Sequence, residues 1–530
     1  MKNKKHPSVM KHNFSQAPNV SVQRSVFERN HGHKTTFDSG LLVPIFVDEI
    51  LPGDSVKLGA SFLARLATPI YPVMDNMMLD SHFFFVPARL LWENWERFNG
   101  AQDNPTDSTD FLIPELPAPA GGFTAFSIAD YFGLPTTVEN INVNALPFRA
   151  YNMIYNEWYR DQNLQDSIPF PIDDGPDDPA DYEIKRRGKR HDYFTSCLPW
   201  PQKGASVEIP IGELAPIQGL GVVDQTFSGT NLSVYEADGT NPSYAKYKNV
   251  NPSTASQQLA IEEDPANPGF PGIFADLSSA TAATINQLRL AFQTQRLLER
   301  DARSGTRYVE FLKAHFGVTS PDFRLQRPEY LGGGSQPLNF NPIAVTADTT
   351  DSSAGDLSAY AISAGSRHGF SKSFVEHGYI IGLISARADL TYQTGIHRMW
   401  SRRTRLDFAF PVLGHLGEQS VLNKEIYAQG TADDENVFGF NERYAEYRYS
   451  LSKITGLFRS SHPQSLDAWH LSQDFDSLPA LSDAFIQDDP PVDRVIRVQT
   501  EPHFIMDSHF HIRHARPLPV NSVPGMIDHF

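Results

Sequence analysis

Three histidines near the C-terminus have a spacing that could hold a metal ion. His503, His509 and His511 are an even number of residues apart, so a β-strand would place them on one face, where alternate residues are about 7 Å apart. No cysteine and no dense set of carboxylates accompanies them, as a typical metal site would require. The pattern therefore favours a solvated face whose histidines titrate near pH 6 over a metal site.

An arginine cluster has the chemistry to bind phosphate or carboxylate groups. Arg402, Arg403 and Arg405 lie close together, and each guanidinium group can donate two parallel hydrogen bonds to either kind of anion. A salt bridge between subunits and a contact with nucleic-acid phosphate are equally supported by this pattern. The three arginines are therefore candidate DNA contacts.

The first 35 residues form a second basic segment. They contain Lys2, Lys4, Lys5 and Lys11 among Asn, His, Ser and Pro, and they show neither a helical nor a strand period. Such a segment is either a disordered terminus or an extended arm that reaches a phosphate backbone or a neighbouring subunit. The four lysines are also candidate DNA contacts.

Catalytic chemistry has little support in the sequence. Cys197 could act as a nucleophile beside one of 18 histidines, but so many histidines make a chance match certain, and the cysteine lies in a proline-bounded loop. The patterns GxxxxGK[ST] and GxSxG do not occur, and no GxGxxG follows a strand. The adjacent carboxylates at 433–435 point in different directions and make a poor acid–base pair. We therefore expect no enzyme and no cofactor.

Composition and charge narrow the class of protein. The chain has 530 residues, a net charge of −17 and a single cysteine, so it has no intrachain disulfide and is not coated with Lys and Arg like a conventional nucleic-acid binder. The charged start lacks the apolar run of a signal peptide, and the longest apolar stretches are too short to span a bilayer. We expect a soluble protein with no membrane insertion.

The elements that must position these residues are mainly strands. Residues 41–50 are a β-type apolar run, and residues 56–66 alternate between apolar and polar side chains. Further strands are predicted over 80–86, 374–390, 443–449, 492–500 and 503–513. The last of these has the clearest period of two, with one core face and one histidine-rich face.

Helices interrupt the predicted strands. A short helix is expected over 91–98, and a strongly aromatic one over 148–158 whose apolar face belongs in a core. Two more are expected over 285–303 and 308–316. The acidic loop at 173–181 does not match the spacing of a calcium-binding loop, and a solvated loop is the favoured interpretation.

The domain organisation follows from changes in composition. Residues 1–35 are the extended basic arm, and residues 36–530 are one β-rich domain with insertions. Residues 212–271 are dominated by Gly, Ser, Thr, Asn, Pro and Ala, and strand and helix signals resume on both sides of them. They therefore predict a surface projection inserted within the domain.

A rigid aromatic connector follows the basic run at 185–190. Residues 191–204 read HDYFTSCLPWPQKG, and the two prolines each fix φ and remove a backbone donor, so this segment is neither helix nor central strand. Rigid loops of this kind often position residues that bind another molecule. Its candidate subunit-contact residues are Tyr193, Phe194, Pro199, Trp200 and Pro201.

Several long segments resemble one viral family. They include HDYFTSCLPWPQKG, LRLAFQTQRLLERDARSGTRYVE (288–310), FVEHGYIIGLISARADLTYQTG (374–395) and FGFNERYAEYRYSLSKITGLFRS (438–460). In this order they resemble the major capsid proteins of microviruses, the small icosahedral single-stranded-DNA phages, in their gokushovirus branch. The resemblance covers nearly the whole chain and is weakest over 212–271.

The resemblance implies a fold, an assembly and a location. The fold is an eight-stranded viral jelly roll, an antiparallel β-sandwich with large helical and loop insertions. Sixty copies are expected to form a T=1 icosahedral shell around circular single-stranded DNA, in a virion assembled in the bacterial host cytoplasm. Residues 212–271 would project at the threefold axes toward a host surface receptor, and the connector would supply rigid subunit contacts.

The net charge of −17 has a consequence for such a shell. An acidic coat cannot neutralise its genome, so we expect a small basic packaging protein or bound cations, and contacts with the strand through phosphates and stacking. If the three C-terminal histidines lie near a subunit interface, their protonation near pH 6 would alter assembly stability.

Two other classes of protein remain open on the residues alone. A secreted β-sandwich that binds or cleaves carbohydrate is suggested by the aromatic and acidic loops, and it should have a signal peptide and a carboxylate pair across a cleft. A nucleic-acid enzyme should have a metal or phosphate motif. None of these features is evident.

Overall fold

The computed structural model describes residues 23–207, 217–218, 220–222, 259–261, 274–275, 285–303, 314–316, 326–348 and 353–521. The chain divides into two compact units, of which the first joins 1–201 to 319–530 and the second is 202–318. The second unit is longer than the insertion expected at 212–271. The single domain over 36–530 therefore stays a prediction.

Strands provide most of the regular structure, and every strand pairing in the described ranges is antiparallel. In chain order they are β1 (Ser25–Glu28), β2 (His31–Phe37), β3 (Val43–Ile50), β4 (Ser55–Leu66), β5 (Met77–Pro87), β6 (Glu115–Pro117), β7 (Asn142–Asn144), β8 (Ile217–Gln218), β9 (Leu220–Val222), β10 (Leu259–Ile261), β11 (Phe274–Ala275), β12 (Glu329–Pro337), β13 (Asn339–Ala344), β14 (Leu357–Ser373), β15 (Gly378–Ala388), β16 (Glu418–Leu422), β17 (Val437–Glu442) and β18 (Phe504–Arg516).

The helices are short, with one exception. They are α1 (Ala88–Leu91), α2 (Trp95–Phe98), α3 (Ile128–Tyr131), α4 (Leu146–Ile154), α5 (Ile285–Arg303), α6 (Asn423–Ile426) and α7 (Asp483–Ile486). A π-turn, Tyr155–Tyr159, extends α4. Within the described ranges, none of the helices combines the length and the apolar character needed to span a bilayer.

Two large sheets form the framework of the first unit. Sheet 1 has the order β1/β2, β18, β4, β14, β13, and β1 and β2 lie one after the other along β18. Sheet 2 has the order β12, β5, β15, β3. The strands expected over 41–50, 56–66, 80–86, 374–390 and 503–513 are confirmed as β3, β4, β5, β15 and β18.

The two sheets share one hydrophobic core. The period of two in β4 and β18 turns every second side chain inward, as a half-buried strand requires. Phe510 of β18 contacts Phe46 of β3, with ring centroids 5.2 Å apart, and Phe370 of β14 lies 5.8 Å from Phe83 of β5. The fold is therefore mainly β, and the facing sheets are consistent with a β-sandwich.

The other face of sheet 2 is also covered. Tyr151 of α4 is fully buried against this face, and its hydroxyl donates to the Leu42 carbonyl at 2.9 Å. Because both faces of sheet 2 are covered, β15 is buried at nearly every position. The expectation that the aromatic face of 148–158 belongs in a core is confirmed for Phe148, Ile154 and Tyr155 as well, and it is wrong for Trp158, which is 40% exposed.

Strands β12, β13 and β14 were not expected, because this stretch reads as loops rich in glycine and proline. The three consecutive glycines of β12 have a packing reason. A Cβ atom on Gly333 would lie 2.0 Å from the Ser81 carbonyl oxygen of β5, so only glycine lets the two strands approach this closely.

Two predicted strands are wrong. Residues 443–449 contain a short 3₁₀ helix, Ala445–Tyr447, because Tyr444 adopts a left-handed conformation with a φ of 65° that ends the extended backbone. Residues 492–500 begin with another 3₁₀ helix, Val492–Arg494, and contain no described strand. In both cases the alternation of side chains is too short to specify a strand.

Part of the segment expected to be an extended arm over 1–35 forms strands. Residues 25–28 and 31–37 are β1 and β2, which pair with β18 along one edge of sheet 1. Their polar sequences carry no strand period, and the pairing is supplied by the backbone of β18. Lys2, Lys4, Lys5 and Lys11 lie outside the described residues.

The described residues of the second unit include four short strands and one long helix. β9 pairs with β10, and β8 pairs with β11. The helix expected over 285–303 is confirmed as α5. Most of 212–271 and of the helix expected over 308–316 lie outside the described residues.

Candidate assembly surfaces

The connector is anchored in the subunit by its first half. The Asp192 carboxylate accepts a hydrogen bond from the backbone N–H of Phe194 at 2.9 Å, which closes a tight turn. Phe194 is fully buried, and its ring lies edge-on to that of Tyr392 at 5.1 Å. The Tyr193 hydroxyl donates to the buried Glu425 carboxylate at 2.8 Å.

Tyr193 and Phe194 are therefore not available to a neighbouring subunit, which corrects the expectation for these two rings. Core anchors and interface anchors both bury apolar area, and their sequences look alike. Pro199 and Pro201 are exposed and Trp200 is partly exposed. Only this second half of the connector stays a candidate subunit contact.

The single cysteine is part of the same core. Burial raises the pKa of the Cys197 thiol, and the carboxylates of Glu425 and Asp192 act in the same direction. A nucleophilic cysteine needs a lowered pKa and access to solvent, so this side chain has the properties of a structural thiol.

The basic run at 185–190 contributes an arginine to a buried ion-pair network. Arg187 donates to the Asp80 carboxylate at 2.8 Å, and Arg387 of β15 donates to the same oxygen at 2.9 Å. Burial alone would raise the pKa of Asp80, but the hydrogen bond from Ser335 and the two guanidinium groups lower it to about 2. This part of the run holds the fold together and is not a free basic patch.

The acidic loop at 173–181 is mostly exposed, as expected of a solvated loop, but Asp177 anchors it to the interior. Asp177 is buried, and Arg149 of α4 donates to its two carboxylate oxygens at 2.9 and 2.5 Å. The Tyr182 hydroxyl donates to the same carboxylate. Loop and helix are therefore joined by a fully desolvated ion pair.

The arginine cluster is split between the interior and the surface. Arg402 donates to the buried Glu446 at 2.9 Å and lies 4.4 Å from the centre of the Tyr447 ring. Its guanidinium group is engaged within the subunit, which corrects its assignment as a DNA contact. Arg403 and Arg405 are exposed and stay candidates.

Exposed apolar side chains concentrate around this cluster, in residues 396–416, named here the apolar surface. Trp400 is 75% exposed and Val412 is 80% exposed. Single exposed apolar residues are normal, but a concentration of large ones marks an interaction site. The other members that are more than half exposed are Leu406, Phe408 and Leu416. The sequence analysis missed this surface, because 3₁₀ turns give its apolar residues no regular period.

The histidine-rich face of the last strand is present on β18. His509 and His511 are exposed on its outer side. His503 precedes the strand, accepts a hydrogen bond from the backbone N–H of Ser39 at 3.1 Å, and has its other ring nitrogen 3.1 Å from Asp493. It therefore belongs to a separate local network. The described part of the chain contains no group of three or more His, Cys, Asp or Glu side chains placed to hold a metal ion.

Other histidines, which the sequence did not single out, have perturbed pKa values. Burial lowers the pKa of His82 to about 4, and the nearby positive charge of Arg187 adds to this effect. The imidazole lies 2.7 Å from the Tyr159 hydroxyl. The pKa is lowered, with burial as the largest cause, for His33, His368 and His514 as well.

Acidification is expected to destabilise the subunit through His82. A histidine whose pKa is lowered by folding stabilises the folded state fully above its unfolded pKa of about 6.5, and this contribution is lost as the pH falls toward the folded value. Between about pH 7.5 and about pH 4, the free energy of unfolding should fall by roughly 2–3 kcal/mol more in the wild type than in His82→Gln. Urea denaturation of the full chain measures this difference.

Identical pH profiles for His82→Gln and the wild type would show that His82 does not carry the effect.

Comparison with known proteins identifies the family of the chain. The model of the phage capsid protein (F protein) family matches residues 15–526. The chain is 52% identical over 527 residues to capsid protein VP1 of Bdellovibrio phage phiMH2K, with 98% of each chain covered. It is 45% identical over 592 residues to capsid protein VP1 of Chlamydia phage 1, with 99% of each covered. It is 36% identical over 539 residues to capsid protein VP1 of Spiroplasma virus 4, with 97% of each covered.

These similarities extend over almost the entire length of each related protein. They confirm the resemblance to microvirus major capsid proteins, and a coat function replaces the carbohydrate-active alternative. The family is one of structural capsid proteins. The chain belongs to the capsid protein (F protein) family of phages.

Proposed function

We propose that sixty copies of this coat protein form a T=1 icosahedral shell around circular single-stranded DNA, and that each subunit is built on an eight-stranded jelly roll. The observation that carries the proposal is the order of the long strands. β2, β18, β4 and β14 are neighbours in sheet 1, and β3, β15, β5 and β12 are neighbours in sheet 2.

The connections between these eight strands support the jelly roll. Along the chain, every connection except the one from β5 to β12 crosses from one sheet to the other. Repeated crossing of this kind is how two Greek keys wrap into one sandwich. The long connections leave the sandwich at its ends, where they are positioned to contact neighbouring subunits.

The apolar surface supports assembly through protein contacts. Its exposed Trp400 and Phe408 are the residue types enriched in interfaces between subunits. The exposed prolines of the connector, Pro199 and Pro201, flank Trp200 and add rigid contact area that loses little entropy on association.

The proposal also covers the contacts of the shell with DNA and with other components. Arg403, Arg405 and the lysines of the arm are the candidate phosphate contacts. Because the chain carries a net charge of −17, a small basic packaging protein or bound cations would supply the remaining positive charge. Residues 212–271 would project outward toward a host surface receptor, and assembly would take place in the host cytoplasm.

Electron microscopy of the purified protein tests the shell directly. We expect small isometric particles whose DNA survives nuclease treatment and is circular and single-stranded. A protein that stays monomeric when supplied with circular single-stranded DNA and a basic peptide would contradict the proposal. Shells without DNA would contradict the proposed enclosure of DNA, but not the formation of the shell.

Replacing Trp400 with serine is expected to block assembly without unfolding the subunit. An exposed side chain contributes within about 0.5 kcal/mol to stability, whereas one central interface residue contributes about 2 kcal/mol or more to each contact. The yield of shells, measured by sedimentation, should fall at least about tenfold. Leu112→Ser changes an equally exposed apolar residue outside the apolar surface and should assemble normally. Normal yield from Trp400→Ser would exclude Trp400 from the interface.

A further inference from the structure

The outer face of sheet 1 differs from every other large strand surface in the described part of the chain. Sheet 2 has protein on both sides, whereas β18 alternates strictly between buried and exposed positions. β4 shows the same alternation. One face of sheet 1 is therefore packed on the core, and the other carries no protein layer among the described residues.

This outer face is basic on a protein that is strongly acidic overall. Strand pairing places residues of β2, β18 and β4 side by side on it. Its exposed cationic and imidazole side chains are Lys34, Lys57, Arg65, His509, His511 and Arg513. The acidic side chains on the same face are Glu28 and Asp507, and Asp507 is paired with Lys34 at 3.1 Å.

Two positive charges stand directly opposite each other on this face. Arg513 of β18 is paired with Lys57 of β4 in the register of the sheet, and like charges in directly opposite positions are destabilising. Glu28 of β1 lies on the other side of Arg513 and offsets part of this repulsion. A polyanion on the face would offset the rest.

Small residues surround the two histidines at the centre of the face. His509 is flanked by Gly32 and Ser61, and His511 is opposite Gly59. Small side chains next to cations let an extended backbone approach the sheet closely. This arrangement suits a chain of phosphates better than a folded protein surface.

A groove of about 520 Å³ opens at one end of the face. Arg65 and Lys34 line it together with the apolar Leu63 and Ile505, and Phe126 forms part of its wall. The carboxylates of Asp130 and Asp507 also line it, where Asp130 accepts from the Phe126 backbone and Asp507 is paired with Lys34. Phe126 is more than half exposed, and its φ of 64° is unusual for an aromatic residue. Its backbone N–H donates to Asp130 at 2.9 Å, a contact that holds this conformation.

We propose that the outer face of sheet 1 is a binding surface for single-stranded DNA. Lys57, Arg65 and Arg513 contact phosphates, and a base stacks on Phe126 in the groove. Cations that follow a strand, combined with an aromatic platform, are the usual elements of binding without sequence preference. The inference rests on the proposed function, because it assigns the surface through which the shell holds its genome.

The composition of the face favours DNA over a second copy of the subunit. Interfaces between subunits are depleted in lysine and enriched in aromatic residues at their centre. The apolar surface has that composition and the outer face of sheet 1 has the reverse. A neighbouring subunit on this face is therefore an outcome that the test must detect.

The first measurement is binding of an oligothymidylate of about thirty nucleotides to the full chain at several salt concentrations. In the triple variant Lys57→Gln, Arg65→Gln, Arg513→Gln, the slope of log K against log salt should fall by about 2, because each phosphate contact on a single strand contributes about 0.7. The control Arg97→Gln, Arg448→Gln, Lys453→Gln removes the same charge from exposed positions elsewhere and should keep the wild-type slope. Equal slopes in the two triple variants would overturn the inference.

The second measurement is ultraviolet crosslinking of DNA in assembled particles, followed by mass spectrometry. A crosslink on the peptide that contains Phe126, lost in Phe126→Leu, is the expected result. Particles that contain DNA but lack this crosslink would overturn the stacking role, and wild-type particles without DNA would overturn the proposed function itself. If the triple variant keeps the DNA binding of the wild type but forms no shells, the face is a subunit contact and the inference is wrong.

Discussion

Arg149→Met is expected to lower the free energy of unfolding by about 3–5 kcal/mol. The Arg149 side chain is 0% exposed and its partner Asp177 is 1% exposed. The guanidinium group also donates to the backbone carbonyls of Leu91 and Asp173, at 3.0 and 2.9 Å. Removing it leaves a buried carboxylate without its counter-charge and two carbonyl groups without a donor. Urea denaturation of the full chain gives the difference.

A surface ion pair provides the control for this prediction. Arg97 and Asp103 are 3.5 Å apart and exposed, so Arg97→Gln should change stability by less than about 1 kcal/mol. Adding Asp177→Leu to Arg149→Met should recover part of the loss, because it removes the orphaned charge. If Arg149→Met is no more destabilising than Arg97→Gln, the pair does not join the loop to α4.

Phe510→Ala is expected to be similarly destabilising, by about 3–5 kcal/mol. The ring is 0% exposed and lies between the two sheets, 5.2 Å from Phe46 and 6.2 Å from Phe62. Alanine would leave a cavity that neither sheet can fill without breaking its own strand pairing. The loss should appear as a lower urea midpoint with an unchanged slope.

The same strand contains the matched control. Ile505 is an odd number of residues away, faces outward and is 63% exposed, so Ile505→Ala should cost less than about 0.5 kcal/mol. Equal losses at the two positions would contradict the assignment of one core face and one outer face to β18.

Elements with a strong local pattern were predicted from the sequence. β4 and β18 alternate over more than ten residues, and such a period is determined by which face meets the core. The aromatic helix over 148–158 was predicted for the same reason. β12, β13 and β14 were missed. The glycines of β12 and β14 follow from close approach to β5 and β4, which a linear pattern does not contain, and the sequence of β13 is interrupted by a proline.

Whether the charged and aromatic side chains are buried or exposed could not be predicted from the neighbouring sequence. Arg187 lies 107 residues from Asp80, and Tyr193 lies 232 residues from Glu425. A charged side chain has the same local sequence whether its partner is water or a buried carboxylate. The connector and Arg402 were therefore expected at contacts with other molecules, whereas Tyr193, Phe194 and the Arg402 guanidinium group are engaged inside the subunit.

The sequence by itself determined the family, the predominance of strands and the two faces of β4 and β18, because each depends on residue order alone. The tertiary structure decided which charges are neutralised inside the subunit and which face of sheet 1 is left uncovered by the described residues. Those outcomes depend on distance in space. Removing one partner of a buried ion pair strongly destabilises the fold, whereas an exposed charge is solvated by water and gains little from a partner.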